Sequence, residues 1–213
     1  YIMKKIFLPI VALFIATSCN QTPKTEVTNA GETQTATTAT GTTFTADKST
    51  SKVSFEGAKP VGTHTGDFSL TEGSFSVAEG KISAGKFVID INSMLITDKN
   101  QTMSEKLKKH LLSPDFFDAE KFGTATFEIT GSEVLTGDSL NSHKISGNLT
   151  LKDSTRNVSF PAKITVADST ASATASFTID RTQWGLFYGN DKSLGDKFIY
   201  PEVKIALSIQ GKK

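Results

Sequence analysis

The sequence is poorest in the side chains that carry out chemistry. One cysteine in 213 residues excludes an internal disulfide and any zinc site built from two or more thiolates. The three histidines, His64, His110 and His143, lack metal-ligand spacing. No Gly-x-Ser-x-Gly elbow, P-loop or dinucleotide fingerprint occurs, so no catalysis is expected. An excess of one charge is missing too: 23 Lys+Arg against 22 Asp+Glu give +1, too balanced for a nucleic-acid binder. The aromatic set is lopsided, with 15 Phe against 3 Tyr and 1 Trp. Phe supplies apolar area without a polar handle, which suits the interior of a container. The length fits one domain with appendages.

The N-terminus reads as an address. Lys4 and Lys5 precede an apolar run over residues 6–16, then Thr17, Ser18 and Cys19. That is the layout of a secretory signal, too short to span a bilayer. The lone cysteine directly after small residues resembles a bacterial lipobox, so residues 1–18 are expected to be removed and Cys19 to be acylated, anchoring the chain to a membrane. Removing Lys4 and Lys5 leaves 21 basic against 22 acidic residues. Residues 19–42 are rich in Thr, Ala and Gln with few large apolar side chains, and are expected to form a disordered tether. Asn20 is not the aspartate that retains lipoproteins at the inner membrane, and no acidic run follows. An outer-membrane anchor facing the periplasm is therefore expected.

From Phe44 onward, apolar residues recur with a period of two, the signature of half-buried strands. Val53 and Phe55, Phe68 and Leu70, Phe75 and Val77, and Phe87, Ile89 and Ile91 each share a face. So do Ala125, Phe127 and Ile129, then Ile145, Gly147, Leu149 and Leu151, then Val158, Phe160, Ala162, Ile164 and Val166. Ala173, Ala175, Phe177 and Ile179, and finally Val203, Ile205, Leu207 and Ile209, complete the series. The parity changes at Thr71-Glu72-Gly73, where a turn or bulge is expected. Turns are expected at Glu79-Gly80, Gly137-Asp138, Asp153-Ser154 and Asp168-Ser169. Eight or nine strands with one dry face each must close on themselves or stack as two antiparallel sheets. Aromatic girdles are missing, which favours a barrel with its dry face inward over a membrane-spanning one.

One segment departs from this period. Thr102 to Glu105 reads as a capping box, with Met103, Leu107, His110 and Leu111 at helical spacing and Pro114 as the stop. A short amphipathic helix over about 102–112 is expected to cap an end of the barrel, with Lys106, Lys108 and Lys109 on its wet face. His64 lies in a Gly-Thr-His-Thr-Gly loop as a turn residue or a group near a ligand opening. Arg181, at a strand end, is read as a rim partner for a carboxylate or a contact for a ligand headgroup. Small inward residues (Gly147, Ala162, Ala173 and Ala175) either leave room for a cavity or fit the taper of a filled barrel. Ser139, Ser154 and Ser169 stand in Asp-Ser turns that also resemble an O-glycosylation acceptor.

Several of these segments together resemble the YceI-like lipid-binding proteins. Phe44 to Asp47, Ser51 to Phe55, Thr63 to Phe68 and Phe87 to Ser93 match that family's opening strands. Leu107 to Asp118, which ends on Pro114-Asp115-Phe116-Phe117-Asp118, followed by Ala125-Thr126-Phe127, is the most specific part. Gly147 to Leu151, Thr155 to Val158 and Phe177 to Gly185 resemble its later strands. Gly123 replaces a usual Pro, and Asp153-Ser154 a usual Gly-Val; both changes fall in turns. The resemblance implies an all-β fold over residues 43–211: an extended antiparallel eight-stranded lipocalin-like barrel with one short capping helix. It also implies an exported, non-catalytic protein holding an isoprenoid or similar apolar chain, a quinone-like molecule among the candidates.

Alternation nominates Phe55, Phe68, Phe75, Phe87, Ile89, Phe127, Leu149, Phe160, Ile164, Phe177 and Leu207 as inward ligand contacts. His64, Leu107, Leu111, Arg181 and Trp184 are nominated for the gate or a headgroup. The competing reading is a periplasmic interaction or structural domain whose barrel is filled by its own side chains.

Overall fold

A strand with one dry face must bury it, and here the strands do so by bending into a ring. The computed structural model describes residues 27–213; the leader at 1–18 and Cys19 lie outside the described residues. The strands are β1 (Thr42–Ala46), β2 (Lys52–Lys59), β3 (Gly62–Ala78), β4 (Lys81–Ile96), β5 (Thr124–Val134), β6 (His143–Leu151), β7 (Ser154–Val166), β8 (Thr170–Asp180) and β9 (Glu202–Lys212). Helix α1 (Gln101–Leu112) follows β4, and two short 3-10 helices, Arg181–Trp184 and Lys192–Lys197, lie between β8 and β9.

Each of β2 to β9 pairs with its sequence neighbour, and β2 pairs with β9, closing an antiparallel barrel of eight strands. The ninth strand, β1, lies between β3 and β9 at one end, with Phe44 opposite Phe75 and Ala46 opposite Gly211. The apolar faces converge inside around Leu70, Ile91, Val158, Phe160 and Phe177, the reverse of a membrane-spanning barrel.

The parity change in β3 is a bulge: the register against β4 shifts between Leu70 and Glu72. The β3–β4 hairpin turns on Glu79 and Gly80, both at positive φ (50° and 75°), as a two-residue primed turn requires. The β6–β7 turn falls on Lys152 and Asp153, one residue before the expected Asp153-Ser154, with Lys152 at φ 54°.

Helix α1 occupies the expected segment but is capped differently. Asn100, not Thr102, accepts the Met103 N–H at 3.1 Å. That displaces the predicted capping box, and Met103 is exposed rather than part of the dry face. Ser104 is buried instead, its hydroxyl donating to the Asn100 carbonyl at 2.9 Å.

The described part of the expected tether is not loose. Residues 27–40 run extended across the outside of the barrel, from β8 over β7, β6 and β5 to β4. Gly31 bridges Asn157, and Gln34 exchanges hydrogen bonds with the Asn148 side chain at 3.1 and 2.7 Å. Thr37 N–H donates to the Ile129 carbonyl at 3.1 Å, and Thr40 N–H to Ser83 Oγ at 3.1 Å. Hydrogen bonds of the strap's backbone to the barrel's main chain and to the Asn148 and Ser83 side chains order it, a signal that composition does not carry.

Candidate functional site

The ring of strands is not filled. It encloses a cavity of about 380 Å³ lined almost wholly by apolar side chains, a volume in the range of small-molecule sites. All eleven residues nominated by alternation line it: Phe55, Phe68, Phe75, Phe87, Ile89, Phe127, Leu149, Phe160, Ile164, Phe177 and Leu207. Ala162, Ala173 and Ala175 line it as well. Gly147 does not make open room: the Phe127 ring lies over it, so an added Cβ would sit 2.3 Å from Phe127 Cζ. Gly66 seats the Phe55 ring in the same way, with 2.5 Å left to Phe55 Cε1. These two glycines hold aromatic rings flat against the wall and so help keep the centre open, a role that alternation did not reveal. The filled-barrel alternative does not describe this interior.

One end of the cavity is a floor. Phe44 stacks on Phe75 with centroids 5.6 Å apart, and Ile82 is buried beside them in the same core. His143, buried, is bound between Ser142 Oγ at 2.8 Å and the Gly80 carbonyl at 3.0 Å. Outside the floor, Asp47 accepts from Lys212 at 2.8 Å. The hydrogen bonds from Lys212 and Ser49 hold the Asp47 carboxyl well below the usual range.

The other end brings polar groups to the cavity itself. Leu107 and Leu111 of α1 line the cavity there, with His64, His110 and Lys59. His64 Nδ1 lies 2.6 Å from Asp98 Oδ2, joining β3 to the segment before α1. Burial alone would raise the Asp98 pKa, but hydrogen bonds from His64 and the Thr65 N–H hold it below its ordinary 3.8. His110 Nε2 stands 3.2 Å from Asp115 Oδ2, and its ring meets Phe116 and Tyr188 edge-on at 5.2 and 4.6 Å.

Arg181 reaches the cavity wall but has no carboxylate partner among the described residues. It donates to the backbone carbonyls of Tyr200 at 3.2 Å and Ile199 at 3.0 Å, and to that of Leu186. Its guanidinium also stands 5.8 Å over the Phe116 ring. Burial pushes its pKa down, opposed by the Asp180 charge. Arg181 therefore splices the loop between β8 and β9 to the barrel, and the expected carboxylate pairing is replaced by carbonyl acceptors. Trp184, nominated as a gate, is fully buried and does not line the cavity. Its indole N–H donates to the Leu149 carbonyl at 2.9 Å, which makes it a fixed anchor. Among the described residues, no group of three or more His, Cys, Asp or Glu is placed to hold a metal ion.

A closed antiparallel barrel around an apolar hollow defines the lipocalin-like class of container. The chain belongs to the YceI-like domain family, whose match covers residues 44–211. Among solved structures it is similar to BcnA of Burkholderia cenocepacia, at 20% identity and TM-score 0.63, covering 78% of this chain and 98% of that one. It is also similar to a polyisoprenoid binding domain from Saccharophagus degradans implicated in plant cell wall breakdown, at 16% identity and TM-score 0.57, covering 79% and 97%. The YceI protein of Campylobacter jejuni follows at 20% identity and TM-score 0.51, covering 74% and 84%. These likenesses establish the fold. No curated protein sequence matches the chain.

Proposed function

We propose that this protein is an exported, lipid-anchored binding protein that holds an isoprenoid or similar long apolar chain in its barrel. The observation that carries the reading is the hollow of about 380 Å³ with an almost purely apolar lining. An apolar wall with so few polar groups offers a guest burial and little else. The Saccharophagus degradans domain of the same fold is described as polyisoprenoid binding, which agrees with a guest of that chemistry. The Lys4 to Cys19 pattern supports export and acylation, placing the barrel beside a membrane, with the periplasmic face of the outer membrane as the proposed site.

The energetics favour a carrier over a trap. Burying a tail of about 25 carbons at roughly 0.8 kcal/mol per methylene approaches the practical ceiling on affinity when measured from water. Measured from a bilayer, which shelters the tail almost as well, the two refuges nearly cancel. Exchange with a membrane is then possible at both ends of a transfer. Val61, Met103, Phe187 and Tyr188 are all exposed at the polar-clasped end of the barrel, an apolar rim suited to contact with a lipid surface.

The direct test is native mass spectrometry on protein purified without detergent, followed by extraction and identification of the bound molecule. An apolar lipid with one protein-bound stoichiometry is expected. Protein that carries none, and takes none up from vesicles, would sink the proposal.

A further inference from the structure

The wall of the barrel is incomplete between β7 and β8. Their ladder runs from Val166 opposite Ala171 to Ala162 opposite Ala175 and ends there, although β7 reaches Ser154 and β8 reaches Asp180. The break falls beside Pro161, which has no N–H to give a neighbouring strand. The flanking ladders carry on: β6–β7 to Leu151 opposite Ser154, and β8–β9 to Asp180 opposite Glu202. Both lips of the resulting seam border the cavity, with Val158 and Phe160 on one side and Phe177 and Ile179 on the other. Where the ladder is lost, the Phe160 and Phe177 rings stack across the gap, 4.0 Å apart and 3° from parallel.

The strap fills this seam. Val27 bridges Thr178 in parallel and Gly31 bridges Asn157 in antiparallel fashion, the orientations a third strand must take between two antiparallel neighbours. Thr28 N–H donates to the Thr178 carbonyl at 2.7 Å, and Gly31 and Asn157 exchange bonds of 2.8 and 3.0 Å. Among the described residues, these backbone bonds tie residues 27–31 to both lips of the seam. Val27 is 43% exposed, and Ala30 packs against the core.

We propose that residues 27–31 form a displaceable strand sealing a lateral portal between β7 and β8, through which a long apolar tail passes sideways into the cavity. The proposal rests on the container reading above and adds the route. A tail threaded end-on must pass α1 and the packed rings of His110, Phe116 and Tyr188. A seam accepts the same tail broadside, exchanging bilayer for wall along its whole length. When the strap leaves, the freed groups of Asn157 and Thr178 lie at the outer surface, where water can satisfy them.

The test locks the strap in place. A chain from residue 19 onward keeps every described residue, and Cys19→Ser removes the competing thiol. Gly31→Cys with Asn157→Cys then joins two directly paired positions, whose Cα separation of about 5.5 Å suits a disulfide. A Cβ at Gly31 meets nothing nearer than the Asn157 carbonyl oxygen at 3.8 Å. The readout is transfer of a nitrobenzoxadiazole-labelled polyprenol from loaded protein to phosphatidylethanolamine–phosphatidylglycerol vesicles. Oxidation is expected to slow transfer about ten-fold or more, and reductant to restore it in the same sample, which controls for folding. A second lock at the strap's far end, Thr40→Cys with Ser83→Cys, is expected to leave the rate unchanged. Undiminished transfer with the seam locked, or equal slowing by both locks, overturns the portal. Should the unmodified barrel take up no polyprenol, the container reading fails, and hydrogen exchange alone judges the seal. The Thr28, Gly31 and Asn157 amides are expected to exchange about 100-fold faster than those of Ala173 and Ala175; equal protection overturns it.

Discussion

The two ends of the barrel are closed by different means. The floor is made of core: Phe44 stacked on Phe75, Ile82 buried beside them, and β1 stitched to both β3 and β9. The opposite end is held by polar clasps, His64 with Asp98 and His110 with Asp115, and by one arginine on three carbonyls. Removing part of the floor creates a void in close-packed apolar material. Releasing a clasp exposes polar groups that water can satisfy. The floor should therefore carry the larger share of the barrel's stability, and the clasped end the smaller.

The sharpest way to break this contrast is Phe75→Ala. Loss of a buried ring from the floor is expected to cost about 3–5 kcal/mol of stability, read from urea unfolding. A cost below about 1 kcal/mol would show that the floor is no firmer than the lid. Next is Arg181→Met, which strips three carbonyls of their donor; about 1–3 kcal/mol is expected, visible as a lower thermal midpoint. Arg181→Lys should recover little of it, because an ammonium cannot span the same acceptors.

Ala175→Phe sharpens the comparison from the side. Ala175 lines the hollow midway along the wall, so a ring there occupies guest space. Stability should change by no more than about 1 kcal/mol, while co-purified lipid falls away in the mass spectrum. The smallest effect belongs to Asp98→Asn. Because the folded pKa of Asp98 lies below 3.8, its contribution is complete above that value and fades as pH falls through it and below. The variant should lose about 1 kcal/mol or less near pH 6, and the gap from the unmodified chain should close toward pH 3 in paired urea titrations.

The period of two made most of the wall legible, because a one-residue slip would turn every strand inside out. The eleven inward candidates all reach the cavity for that reason. What stayed hidden depends on contacts between elements. Arg181 satisfies carbonyls that no local pattern announces, and Trp184 is tied down through Leu149, distant in sequence. Asn100 displaced Thr102 as the cap because both are good cap residues and only the chain's approach decides between them. Low hydrophobicity does not disclose the strap, because hydrogen bonds to Asn148 and Asn157 on the barrel's outer face hold its backbone extended. Pro161 in mid-strand was a signal available in the sequence that a ladder fails there.

The closing ladder joins Lys52 to Gly57 with Val203 to Ser208, the two extremes of the barrel domain. Until the final strand is available, both β2 and β8 have a raw edge, and nothing local compensates for it. Such distant pairing is slow to form. A nascent chain of this design stays pliable through nearly all of its synthesis, and the ring can close only once its last strand has been made.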